Sequence, residues 1–183
     1  MFDRKLGVRV QTPRVASPQL DCTRLRDLLA AARWQDADAE TRRLMVRAID
    51  LPEEAYFTER EFLQFPQKSL SILDRLWRDY SGDRFGFSIQ NQIWRQIGGW
   101  HPDANYDTWL QFGRQVGWLR GCWLSPEELT FDLNAPAGHL PAAWTEEFEL
   151  GEIALSLWAR METFVFNETI YCGDRADSPN PPP

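Results

Sequence analysis

The side chains with capacity for acid–base, nucleophilic or metal chemistry in this 183-residue sequence are few and scattered. There are two histidines, His101 and His139, each close to a proline in a stretch that reads as loop, and three cysteines, Cys22, Cys122 and Cys172, far apart and odd in number. Paired histidines, His-Glu-x-x-His and Cys-x-x-Cys are all missing, as are the P-loop, the dinucleotide fingerprint and the nucleophile elbow. Ser125, His139 and Asp132 supply the residue types of a nucleophilic triad, but a triad is recognised by geometry, and nothing in their spacing singles them out. The segment GDRFGF at residues 82–87 is a turn before a helix and lacks the lysine of a phosphate loop, so it reads as structural. Asp36, Asp38 and Glu40 fall early in a helix, where negative charge suits the dipole, and Glu146, Glu147, Glu149 and Glu152 read as a solvated face. The cysteine pattern argues against a disulfide framework or a thiolate metal site and points to a reducing compartment. The expectation is a protein that does no catalysis and holds no metal.

Aromatic residues are the unusual resource: nine Trp, eleven Phe and four Tyr. Rings of this size either fill a core or line a cavity for a flat apolar ligand. The net charge of −7 counts against nucleic acid, whose binding needs a basic field. Charge is also uneven, with 18 basic and 16 acidic side chains over residues 1–120 but only Arg160 and Arg175 against 11 acids beyond. No apolar run approaches the ~20 residues of a membrane span, and the first 20 residues lack a secretory h-region. The expectation is a soluble protein that stays inside the cell, with at most peripheral membrane association.

Periodicity places the elements. Leu25, Leu28, Leu29 and Ala32, then Ala37, Leu44, Met45, Ala48 and Ile49, predict a helical hairpin ended by Pro52. Thr58 and Glu61 form a capping box for a short segment reaching Phe65 and Pro66. Leu70, Leu73, Leu76, Trp77 and Tyr80 mark an amphipathic helix closed at Gly82, and Ser88 is the expected cap of the next, which carries Ile89, Ile93, Trp94 and Ile97. Asn105 or Asp107 caps a helix with Trp109, Phe112 and Val116, ended by Gly117; residues 118–123 suit a small hairpin, and Ser125, Pro126 and Glu128 a single turn. Residues 131–141 read as a loop, 152–164 as a last helix bearing Ile153, Leu157 and Trp158, and the proline-rich end as disordered. The organisation expected is all-α: a flexible segment 1–20, one compact domain of short helices and irregular loops over 21–166, and a flexible tail 167–183.

Several strings carry a resemblance. LLAAARWQDADAET at residues 28–41, Phe65 with Pro66, Leu76 with Trp77 and YSGDRFGFSIQ at 80–90 are followed by WLQFGRQVGW at 109–118, Trp123 with Leu124, LTFDL at 129–133 and APAGHLP at 135–141. Together they resemble the genomes-uncoupled family of tetrapyrrole-binding proteins over residues 24–163. The resemblance implies an all-helical fold shaped like a cupped hand, whose apolar palm takes a porphyrin or bilin. It also implies stimulation of magnesium chelatase through that enzyme's large subunit, a cyanobacterial-type cytoplasm rather than a plastid, and no catalysis.

By the same resemblance the palm lies between the loop after the second helix and the loop following His139 to Pro141. It would offer Phe57, Phe62, Phe65, Trp118, Trp123, Leu140 and Trp144 as ring or apolar contacts and Arg160 as a propionate partner. A macrocycle of ~40 heavy atoms at ~0.3 kcal/mol per atom has a ceiling near nanomolar affinity. Trp77, Phe85, Phe87 and Phe131 are assigned to packing. The sequence departs from the family pattern in three places: only about 20 residues precede the core, residues 144–152 are acidic where basic groups would meet propionates, and residues 165–183 have no placed counterpart. The competing expectation is a protein-interaction or signalling module that keeps the fold and binds tetrapyrrole weakly or not at all.

Overall fold

Helical spacing in the sequence becomes helices wherever an apolar stripe finds a partner. The structure, a computed structural model, describes residues 20–52 and 65–142. The expected capping box at Thr58 and Glu61 and the expected helix 152–164 lie outside the described residues. Within them run α1 (Thr23–Ala30), α2 (Trp34–Ala48), α3 (Gln67–Ser81), α4 (Phe87–Gln96) and α5 (Tyr106–Val116), then a two-stranded ribbon of β1 (Leu119–Arg120) and β2 (Cys122–Trp123) and a 3₁₀ turn, Pro126–Glu128. The fold is all-α, with the ribbon as a tight antiparallel turn about Gly121 that pairs Leu119 with Trp123.

Burial of Leu25, Leu28 and Leu29 along α1 and of Ala37, Thr41, Leu44 and Met45 along α2 packs the two helices against each other and both against α3. The α1–α2 corner closes with Arg33 N–H on Leu28 O at 2.9 Å, which forces Ala32 to φ +52°. Trp34, Trp77 and Phe85 meet behind this hairpin with ring centroids 5.6–6.3 Å apart. The Trp77 indole donates to Thr41 Oγ1 at 2.9 Å, and that hydroxyl donates back to Ala37 O at 2.8 Å, so a polar pair is buried without loss.

A second ring cluster fills the space between α4 and α5: Trp94, Trp109, Phe112 and Trp118, with Trp123 stacked on Trp109 at 5.3 Å. The Trp123 ring lies so close over Gly113 that a Cβ there would sit 2.5 Å from it. Of the two expected caps of α5 the structure uses Asn105, which forms a capping box with Thr108, and the helix ends as expected at Gly117 in the left-handed conformation.

The start of α4 corrects an expectation. Gly86, not Ser88, occupies the cap position, at φ +133°, and the donor-rich first turn is satisfied from another helix: Asp74 of α3 accepts Ser88 N–H at 2.7 Å. Burial raises the Asp74 carboxyl above its usual range, with the Ser88 hydrogen bonds and Arg78 pulling the other way. Only glycine fits at position 86, because a Cβ would meet Asp74 Oδ1 at 2.8 Å. Burial likewise pushes the Cys22 thiol up to about 11, which leaves it inert at neutral pH.

Two substitutions test this account by urea unfolding. Gly86→Ala combines a glycine-only backbone with a clash and is expected to cost about 3 kcal/mol or more. Ala32→Gly relieves a left-handed alanine at an exposed corner and is expected to raise stability by about 0.5 to 1 kcal/mol.

Candidate functional site

The stretch read as a loop, residues 131–141, is irregular in backbone but not peripheral. From Ala135 it becomes a strap laid across the helices, in which Ala135, Gly138, His139, Leu140, Pro141 and Ala142 are all buried. Without helix or sheet partners its backbone groups must be satisfied one by one, and the carbonyls of Ala135, Gly138, His139, Leu140 and Pro141 each find a donor. Arg84 Nε donates to Ala135 O at 2.7 Å and Arg84 O accepts Gly138 N–H at 2.9 Å. The Gln90 amide, fully buried on α4, donates to Gly138 O and Pro141 O, both at 2.9 Å. Gly86 N–H donates to Leu140 O, the Trp118 indole to His139 O at 2.8 Å, and Asp38 Oδ1 accepts Ala142 N–H at 2.7 Å.

His139 is a structural member of this strap. Its Nδ1 lies 2.6 Å from Val116 O and its Nε2 accepts Thr130 N–H at 3.0 Å, partners that assign the neutral Nδ1–H tautomer. Burial lowers its pKa from the ordinary 6.5, with Arg120 adding to the effect and the Val116 carbonyl opposing it. With both ring nitrogens engaged, His139 forms no nucleophilic triad with Ser125 and Asp132, both of which are exposed. Among the described residues no group of three or more His, Cys, Asp or Glu is arranged to hold a metal ion, and no helix is long and apolar enough to cross a membrane.

Two of the carboxylates placed early in α2 also have more specific tasks than favouring a dipole. Asp38 holds the strap, and Glu40 is buried between Arg24, at 3.3 Å, and Arg43. Asp36 remains exposed and pairs with Arg33.

The residues expected to line a palm are distributed as follows. Trp118 and Leu140 are buried where the strap crosses α5, joined through the Trp118–His139 hydrogen bond. Trp123 is half-buried beside them at the edge of the second ring cluster, and Leu129 and Phe131 pack half-exposed against the same core. Phe65 enters the core separately, just ahead of α3. Phe57, Phe62, Trp144 and Arg160 lie outside the described residues. What the structure brings together is therefore the second ring cluster, with Trp123 half-exposed at its edge on Trp109, and the strap bonded beside it through Trp118. The tasks of Gln90 and Asp74 escaped the sequence reading, which gave Asp38 only a dipole role. The available signal was a polar residue on an otherwise apolar helical stripe, as Gln90 is between Phe87 and Trp94.

His139 makes stability pH-dependent. Because its folded pKa is depressed, its contribution is complete above the unfolded pKa near 6.5 and is lost as pH falls through the folded value. Between pH 7.5 and 5.5 the wild-type urea midpoint should fall, whereas His139→Gln, which keeps one donor and one acceptor, should show the flatter dependence.

Residues 16–151 match the model of the GUN4-like family. An uncharacterized protein, ycf53, of Porphyra purpurea is 30% identical over 146 residues, covering 76% of this chain and 57% of that protein. A chloroplastic tetrapyrrole-binding protein of Arabidopsis thaliana is 27% identical over 130 residues, covering 64% and 46% respectively. The chain spans about half the length of the curated relatives it matches. The solved structure of GUN4 from Chlamydomonas reinhardtii superposes with a TM-score of 0.64 at 27% identity, covering 81% of this chain and 93% of that one. The family match begins ahead of α1 and runs through the ring clusters to the strap and past it; this chain belongs to the GUN4-like family.

Proposed function

We propose that this domain binds a tetrapyrrole, a porphyrin or a bilin, as a regulator that performs no chemistry on it. The observation that carries the reading is family membership over residues 16–151, together with a relative whose name is tetrapyrrole-binding protein. The buried frame supports it. Two ring clusters and a strap hydrogen-bonded at its buried carbonyls give a support against which a flat macrocycle can lie at low ordering cost. In this proposal Trp123, with Phe57, Phe62 and Trp144, contacts the ring, Phe65, Trp118 and Leu140 support the site from inside the core, and Arg160 meets a propionate. The finer proposal is that the loaded domain stimulates magnesium chelatase through its large subunit, in a cyanobacterial-type cytoplasm.

Titration with protoporphyrin, its magnesium complex and a bilin, followed by tryptophan quenching, tests the reading. Saturable quenching is expected, with Trp123→Ala weakening affinity by about tenfold, the worth of one stacked ring. The glutamates at 146–152 should repel the propionates, so added salt should tighten binding. Failure to saturate below about 50 μM, an affinity near 6 kcal/mol, would sink the proposal. Chelatase assays with and without the loaded domain test the finer step.

A further inference from the structure

Glycine is a poor choice inside a helix, where it loses backbone entropy that alanine does not. Gly113 nevertheless stands inside α5, three residues before its end at Val116. Its carbonyl accepts Trp118 N–H at 2.8 Å, a bond that any residue could make, so the reason for glycine lies in the space beside it. A Cβ at 113 would meet Cη2 and Cζ3 of Trp123 at 2.5 and 2.6 Å and Leu119 Cβ at 3.2 Å. The benzo edge of Trp123 thus occupies the room of the missing side chain. The same ring stacks on Trp109, with centroids 5.3 Å apart and planes 28° from parallel, and the ribbon fixes its backbone by pairing Trp123 with Leu119. Trp109 and Gly113 are four residues apart and share one face of α5, which therefore offers a floor and a notch to one ring. Seated in this way, Trp123 is still half-exposed.

We infer that Gly113 is a positioning residue for the ligand site: its notch seats the Trp123 ring on Trp109, and affinity depends on that seat. The ligand in this inference rests on the tetrapyrrole reading; the seat is a matter of Gly113, Trp109, Leu119 and Trp123. Carbon atoms in contact stay about 3.5–4.0 Å apart, so a methyl group at 113 moves the ring by about 1 Å or more and disturbs the stack. A ring so displaced must be ordered again when a macrocycle settles on it, a cost that the seated ring avoids.

The test is a cycle of four proteins in the full chain: wild type, Gly113→Ala, Trp123→Ala and the double variant. Each is followed by urea unfolding, by fluorine NMR after fluorotryptophan labelling and by protoporphyrin titration. Gly113→Ala should lower the urea midpoint when Trp123 is present and raise it when position 123 is alanine, because helix propensity then acts without the clash. The Trp123 resonance, assigned by its absence from Trp123→Ala, should shift in Gly113→Ala while those of Trp34 and Trp77 stay in place. The protoporphyrin Kd should rise about tenfold in Gly113→Ala, and the double variant should bind no more weakly than Trp123→Ala. An unmoved Trp123 resonance, an unchanged Kd despite a displaced ring, or a loss of midpoint or affinity that is equal in both backgrounds overturns the inference. If Gly113→Ala does not fold, the double variant decides: folding restored by Trp123→Ala supports the seat, and failure of both rejects it. If wild type itself does not bind protoporphyrin, the tetrapyrrole reading fails. The reversal of the midpoint and the shifted resonance then decide alone, their presence supporting the positioning of Trp123 by Gly113 and their absence rejecting it.

Discussion

An irregular chain can be buried only if each of its amides and carbonyls finds a partner, and that requirement at residues 135–142 governs much of the molecule. Helices satisfy their own backbones; the strap cannot. Its hydrogen bonds come from Arg84, Gly86, Gln90, Trp118 and Asp38, which sit on or beside α2, α4 and α5 and in the turn after α3. Because each partner must stand at hydrogen-bonding distance, the strap fixes how these elements sit relative to one another. Gly86 and Gly138 follow from the same demand: a Cβ at position 138 would press on Ile93 at 2.9 Å, as one at 86 would on Asp74.

The wealth of tryptophan has a related cause. Helices of 8 to 15 residues give limited apolar area each, and short helices draw their stability from tertiary packing rather than from propensity. Large rings concentrate that area. Trp34 and Trp77 seal the α1–α2–α3 corner, and Trp94, Trp109 and Trp118 seal α4 against α5. Indole N–H groups double as donors where the chain needs them, on Thr41 and on His139 O. Only Trp123, among this group, stands half out of the core.

Local signals were readable in the sequence because their partners are a few residues apart. Asn105 as one of two candidate caps, the helix ends at Gly82 and Gly117, the Ser125–Glu128 turn and the hairpin within 118–123 all lie where residue type and spacing put them. The cap of α4 did not, since Asp74 acts from 14 positions upstream and on another helix. The structural role of His139 was hidden because its two partners, Val116 O and Thr130 N–H, are backbone groups that no composition or motif reveals. Asp38 read as a dipole residue for the same reason. As for the ligand site, its family was legible in the strings around Trp77, Phe85 and Gly113, while the division of Trp118, Leu140 and Trp123 between core and surface depended on three-dimensional packing.

The strap also has an order in time. Its contacts reach back 51 positions to Gln90 and 104 to Asp38, far longer than the helix-to-helix neighbours that let most all-α domains condense quickly. During synthesis the helical body leaves the ribosome first, with the Gln90 amide and the Trp118 indole still without the strap carbonyls they will bind. Because synthesis is vectorial, the hydrogen bonds from Asp38 and Gln90 to the strap can form only after Pro141 and Ala142 have emerged, long after the helices that hold their partners.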